Sequence, residues 1–202
     1  MLAKRIEEST RNLTHLYEDL RDTYMRTIKA LAQAIDARDH YTHSHSENVA
    51  RYSEIIAREM KLDTQKVEEI RDACQLHDLG KIGVHDYILV KPGKLTAEEF
   101  EEVKLHSLKG AQILEPLKFM EGVIVIVRQH HERFDGLGYP FGLRGPQIDV
   151  GARIMSLADS YDSMTSARPY RTIPLTKSEA INEIKKANRT QFDPQVVEMF
   201  LA

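Results

Sequence analysis

The spacing of apolar side chains along the first 38 residues is the feature that most constrains the fold of this chain. These side chains recur at steps of three and four residues, at Leu13, Tyr17, Leu20, Tyr24, Ile28, Leu31 and Ile35. Because such steps return to one face of an α-helix, the pattern predicts a single long helix to about Arg38 with one apolar stripe. The spacing leaves two partners for the stripe open: the body of the same domain, or a second helix, as in a connector or a dimerising coiled coil.

Helix signals dominate the rest of the chain and indicate an all-α fold. Apolar periodicity predicts helices over residues 44–60 and 64–78. Thr96 followed by Glu99 is a capping-box pattern, and the helix that it opens is expected to reach about Leu117.

The C-terminal part carries two more helix starts. Thr176 with Glu179 repeats the capping box and opens a helix through Lys186. Asp193-Pro194 places a cap and a first-turn proline before a short last helix.

Two segments are less regular. The β-branched run 123–127 has strand propensity, but no second strand signal lies nearby. We predict a buried helix there, because an isolated strand leaves its backbone groups unsatisfied. Residues 134–145 are rich in glycine and proline and predict a structured loop, a kind of segment that often carries function.

Composition narrows the class of protein. A net charge of −3 gives no basic surface for duplex nucleic acid, which we exclude as a partner. The one cysteine, Cys74, permits no intrachain disulfide, and no stretch approaches the ~20 apolar residues of a membrane span. We therefore expect a cytoplasmic protein with no membrane segment in this chain.

Histidine and aspartate residues are the candidates for chemistry. Seven of them fall within or at the ends of predicted helices: His45, His77, Asp78, His106, His130, His131 and Asp159. Neighbouring side chains on a helix point about 100° apart. The adjacent pairs His77-Asp78 and His130-His131 therefore suit two metals that lie close together, or one metal ligand with a neighbour that supports it. A carboxylate such as Asp78 is suited to bridging two cations. The mixed set suits Fe, Mn, Zn or Ni and argues against a purely oxygen-bound Mg or Ca site.

Four motifs resemble those of one family. LHDLGKIG (76–83) is similar to the signature of HD-superfamily phosphohydrolases, and HHERFDGLGYP (130–140) to the second signature of the HD-GYP subgroup. ADSYDSMTSARPYR (158–171) resembles its third block, and YTHSHSENVA (41–50) the segment with its first histidine. The resemblance implies an HD-superfamily helical bundle over residues 31–202, preceded by a connector or coiled-coil helix over residues 1–30.

The resemblance also implies roles for residues. The seven candidates above would bind two divalent metals, Fe or Mn first, with Zn, Ni and Mg as alternatives. Asp78 would bridge the metals, and Lys81 would lie near a bridging hydroxide or a phosphate oxygen. Gly138, Tyr139 and Pro140 would form the substrate loop, and Arg168 and Arg171 would bind phosphate. The family implies hydrolysis of cyclic di-GMP, a bacterial second messenger, to linear pGpG or to GMP.

This sequence departs from the family pattern near the first histidine. Tyr41 stands where some members carry a glutamate that helps to hold a third metal, so we predict two metals and pGpG as the main product. Ser44 and Asn48 replace a usual glycine and a frequent basic residue without changing a ligand.

Two other functions stay open. One is an HD phosphohydrolase that acts on another cyclic dinucleotide or nucleotide, and the other is a catalytically weak module that binds cyclic di-GMP. An upstream sensory or receiver domain and a homodimer formed through the N-terminal helix are the further partners predicted.

Overall fold

The computed structural model describes residues 2–38, 44–166 and 173–202, and these residues form an all-α fold. Their helices are α1 (Leu2–Asp36), α2 (Ser44–Glu59), α3 (Thr64–Leu76), α4 (Asp86–Leu89), α5 (Ala97–Lys104), α6 (His106–Leu114), α7 (Glu121–Gln129), α8 (Val150–Thr165), α9 (Lys177–Lys186) and α10 (Pro194–Leu201). Short 3-10 turns cover Leu79–Gly83, Lys118–Met120 and Gly145–Gln147. The β-structure within these ranges is one isolated bridge between Asn188 and Phe192.

The core forms where α2, α3, α7 and α8 pack together. Ile70, Ile126, Ile154 and Leu157 are fully buried there. The run 123–127 lies in α7, as predicted, and Val123, Ile124, Ile126 and Val127 are buried while Val125 faces outward. The bundle therefore follows from amphipathic helices that each bury one face.

The predicted helix starts are present. Thr96 and Thr176 each form a full capping box with the glutamate three residues later, and Asp193 accepts a hydrogen bond from the backbone N–H of Gln195. These side chains satisfy N–H groups that have no partner within the helix.

The prediction of one helix from Thr96 to about Leu117 is wrong. The helix is interrupted at Leu105, between α5 and α6. The imidazole of His106 and the hydroxyl of Ser107 donate to the carbonyls of Val103 and Lys104 at the end of α5. These carbonyls are thereby occupied by side chains, and the break turns His106 into the interior.

The long helix α1 packs on the body of the domain through its C-terminal part alone. Near its C-terminal end, Ala32 and Ile35 are buried, and Met25 and Ile28 pack against the core. The ammonium of Lys29 donates to Asp72 of α3 at 2.8 Å, and Ser46 of α2 donates to Asp36 at 2.8 Å. The stripe before Met25 stays exposed and packs on nothing in the described part of the chain.

In the described ranges, no helix combines the length and the apolar character needed to cross a membrane.

Candidate metal centre

Three of the predicted ligands form one compact group. The Nε2 atom of His106 lies 3.2 Å from Nε2 of His130 and 3.2 Å from Nε2 of His131. His106 and His130 are buried, and His131 is partly exposed. The three ring nitrogens are therefore placed where one cation could be bound by all of them.

Three others form a second group. His45, His77 and Asp159 each offer one ligand atom, and these atoms lie within 4.8 Å of one another. Nε2 of His45 lies 3.2 Å from an oxygen of Asp159. This group could also hold a cation, with a mixed nitrogen and oxygen donor set.

Asp78 lies between the two groups. Its Oδ2 is 3.3 Å from Nε2 of His77, and its Oδ1 is 3.7 Å from Nε2 of His106. One carboxylate thus presents an oxygen to each group, which is the arrangement that a bridging ligand requires.

The ends of helices orient the histidines. The Nδ1 atoms of His77, His106 and His130 lie 2.6 to 2.8 Å from the carbonyl oxygen three residues earlier. A carbonyl only accepts, so Nδ1 carries the hydrogen and the lone pair of Nε2 points at the group. Each of these carbonyls lies in the last turn of a helix, where carbonyls lack the usual partner four residues later. One bond therefore closes a helix end and fixes a ligand ring.

The charge states fit metal binding. Burial lowers the pKa of His106 to about 4 and that of His131 to about 3, and it holds the pKa of His130 well below its usual range. Burial alone would raise the pKa of Asp78, but His77, Lys81 and His106 outweigh it and hold that pKa well below its usual range. Near neutral pH these groups are uncharged imidazoles and an ionised carboxylate, the forms that bind cations.

Gly80 allows the two groups to approach each other. A Cβ built at Gly80 would overlap the backbone carbonyl of His106 and crowd the backbone nitrogen of Gly110. The turn Leu79–Gly83 can therefore lie directly on α6 only because residue 80 has no side chain, and this contact brings His106 to Asp78.

The glycine-rich loop after His131 is held by Glu132. Its carboxylate is buried and accepts hydrogen bonds from the backbone N–H groups of Phe141 at 2.7 Å and Leu143 at 3.0 Å. A Cβ at Gly138 would collide with the backbone of residues 131–133. The loop therefore lies directly against the histidine pair.

Tyr139 packs on a candidate ligand. Its ring centroid lies 4.7 Å from that of His131, with the two planes 31° apart. Its backbone N–H donates to the His131 carbonyl, and Pro140 follows through a cis peptide bond. The ring thus supports His131 and anchors the loop on this histidine.

A cleft of about 340 Å³ opens beside the two groups. Its lining includes the candidate ligands His130, His131 and Asp159, and also Gly138, Tyr139, Phe100 and Lys104. The ammonium of Lys104 lies 5.0 Å from the ring centroid of Phe100 and 5.7 Å from that of Tyr139. A negatively charged ligand entering the cleft would meet this cation.

Three residues of the site were missed by sequence reasoning. Buried Asp162 lies 2.6 Å from Nδ1 of His45 and accepts a hydrogen bond from Asn48, so it orients a candidate ligand. Its position three residues after Asp159, on the same helix face, could have revealed it. Glu132 directly follows the histidine pair, which was a usable signal, whereas nothing in the sequence marks Lys104.

The structure thus brings together six predicted ligands in two groups, Asp78 between them, and Lys81, whose ammonium donates to Asp78 at 2.9 Å. Arg168, Arg171 and Tyr41 lie outside the described residues.

Comparison with known proteins agrees with this geometry. Residues 29–196 match the family model described as HD domain. A cyclic di-GMP phosphodiesterase of Thermotoga maritima is 39% identical over 99% of this chain. The chain belongs to the HD-GYP group of the HD-domain family.

Other relatives carry a different substrate in their names. A 3'3'-cGAMP-specific phosphodiesterase of Vibrio cholerae is 39% identical over 87% of this chain. The crystal structure of a cyclic GMP-AMP specific phosphodiesterase from V. cholerae superposes with a TM-score of 0.69 and 18% identity, over 88% of this chain and 47% of that one. This HD domain spans 55% of the T. maritima relative and 38% of the V. cholerae one.

Proposed function

We propose that this chain is a phosphodiesterase that uses two divalent metal ions to hydrolyse cyclic di-GMP, mainly to linear pGpG. The observation that carries the proposal is the position of Asp78, with one oxygen near each of two groups of ligands. Relatives named as cyclic dinucleotide phosphodiesterases support the substrate class.

Each group would hold one cation, and Asp78 would serve both. Bound cations would supply a hydroxide nucleophile at neutral pH and neutralise charge on the phosphate. Fe or Mn suits the mixed set best, with Zn, Ni and Mg as alternatives. His45 would be kept in position by Asp162, and His131 by Tyr139.

Lys81 would act beside this centre. Its buried ammonium donates to Asp78 at 2.9 Å, so the lysine holds the carboxylate in place. The same cation would stabilise a phosphate oxygen or orient the nucleophile. Arg168 and Arg171 stay predicted phosphate contacts, since a guanidinium can bind phosphate through two parallel hydrogen bonds.

The product follows from the count of metals. Tyr41 occupies the position where three-metal members carry glutamate. With two cations we expect the first phosphodiester bond to be cleaved efficiently and linear pGpG to accumulate.

The second candidate substrate is 3'3'-cGAMP. The relative named for that activity is as similar to this chain as the cyclic di-GMP enzyme, at 39% identity. A cyclic di-GMP-binding module without activity is less well supported, because all seven candidate ligands are present in the sequence and lie close together. The proposal places the enzyme in the cytoplasm, under control of a sensory or receiver domain acting through α1.

An assay with metal-loaded protein tests the proposal. We expect cyclic di-GMP to be hydrolysed faster than 3'3'-cGAMP, with pGpG accumulating and GMP appearing slowly, as followed by chromatography. Faster cleavage of 3'3'-cGAMP would change the substrate assignment. If the protein binds two metals per chain but hydrolyses no cyclic dinucleotide, the proposal is wrong and the chain is a cyclic di-GMP-binding module without activity.

Lys104 should contribute to substrate binding. It is paired with exposed Glu101 at 2.6 Å, a contact that costs little to release, and it lines the cleft. We propose that it binds the phosphate of the cyclic dinucleotide that is not cleaved. Lys104→Gln should raise KM about tenfold with little change in kcat, because a charge-assisted hydrogen bond contributes about 1.5 kcal/mol.

Lys94→Gln is the matched control, because it removes an exposed lysine that does not line the cleft. Steady-state kinetics should show no change in KM for this variant. Equal effects of the two substitutions would mean that only overall charge matters at the cleft.

A further inference from the structure

The outward stripe of α1 is an apolar surface that the described part of the domain does not cover. Seven large side chains along it are between 45% and 72% exposed: Ile6, Leu13, Leu16, Tyr17, Leu20, Tyr24 and Leu31. On the adjoining, partly overlapping side of the helix, Met25, Ile28, Ala32 and Ile35 pack on the core. Even Leu31, beside the domain, faces away from it.

The spacing of the stripe matches a coiled coil. Ile6, Leu13 and Leu20 are separated by seven residues each, and so are Tyr17, Tyr24 and Leu31. Two interleaved seven-residue repeats give a period of 3.5, which keeps a seam facing another helix that winds around it.

The area of the stripe suits a stable dimer. Side chains of this size expose up to roughly 150–250 Å² each, so seven that are about half exposed present on the order of 700 Å². The largest apolar patch on an ordinary monomer is about 300–600 Å², and each partner of a standard interface buries about 800 Å².

The charges around the stripe favour a second copy over a charged partner. One flank of the seam is uncharged, with Ser9, Leu16 and Thr23, and the other carries one acidic and one basic residue, Glu7 and Arg21. In a parallel pair the charged flank of each helix faces the uncharged flank of the other. A surface that pairs with itself must avoid meeting its own charge, and this one does so.

We propose that α1 forms a two-stranded coiled coil with α1 of a second copy of this chain, along the stripe from Ile6 to Leu31. The helix can present this face because its other end is held on the domain by the Lys29–Asp72 ion pair and the buried Ile35. The proposal is independent of the substrate.

Sedimentation equilibrium of the full chain tests the proposal, with Leu13→Glu/Leu20→Glu as the test variant. We expect wild type to be a dimer at micromolar concentration and the variant to dissociate at least about 100-fold more readily, because two apolar contacts per chain are lost at the seam. Asn12→Glu/His15→Glu adds the same charge on outward positions of the same helix and should remain dimeric.

A monomeric wild type, or equal dissociation of the two double variants, would overturn the proposal. Both variants lie before the part of α1 that packs on the domain, so circular dichroism and metal content should match wild type. Phosphodiesterase activity measured on the same samples reports separately on the proposed function.

Discussion

Asp78→Ala is expected to abolish hydrolysis and to remove most bound metal while leaving the helical content near that of wild type. The substitution takes an oxygen from each of the two ligand groups at once. Bound metal supplies several kcal/mol to phosphodiester cleavage, so the rate should fall by about 1000-fold or more. Elemental analysis, circular dichroism and the hydrolysis assay check the three parts of this expectation.

Lys81→Gln is the matched control for that variant. It removes the cation that contacts Asp78 but none of the candidate ligand atoms. We expect about two metals per chain and a lower kcat. Loss of metal from Lys81→Gln would mean that Lys81 stabilises the metal centre rather than taking part in the reaction. Full activity of Asp78→Ala would refute the two-metal model.

Among substitutions that add one methyl group within residues 76–83, Gly80→Ala is expected to cause the largest loss of stability. The added Cβ would overlap the carbonyl of His106, which is backbone and cannot rotate away. Overpacking of this kind costs about 3 kcal/mol or more, which lowers Tm by roughly 6–12 °C for a chain of this size. The shift should also move His106 from Asp78 and weaken metal binding.

Gly83→Ala serves as its control, because it adds the same methyl group to the same turn. There the new Cβ would meet only the flexible side chain of Lys109, which can move. Thermal unfolding should show a change of less than about 1 kcal/mol. Equal shifts in Tm for the two variants would show that the approach of the turn to α6 is not what Gly80 provides.

The helices were largely predictable because their signals are local. Caps at Thr96, Thr176 and Asp193 act within three residues. The β-branched run in α7 was predicted as helix because no second strand signal lies nearby to pair with it. The break at Leu105 was missed, because it depends on His106 and Ser107 bonding back to carbonyls of α5. Helix periodicity continues across this break and does not report it.

The candidate metal centre was also predictable only in part. Residue types and motifs identified the seven candidate ligands, since their chemistry and spacing are visible along the chain. Their division into two groups was not visible, because each group joins residues far apart in sequence. Asp162, Glu132 and Lys104 gain their roles only through contacts made by folding.

The apolar stripe of α1 shows the difference most clearly. Its period by itself determined a long helix with one apolar face, which the structure shows over Leu2–Asp36, because helix geometry is local. Only the tertiary structure decided how much of that face the domain uses: the end near Ile35 is buried and the part near Leu13 is exposed. Burial depends on the position of the other helices, and a local pattern carries no information about that position.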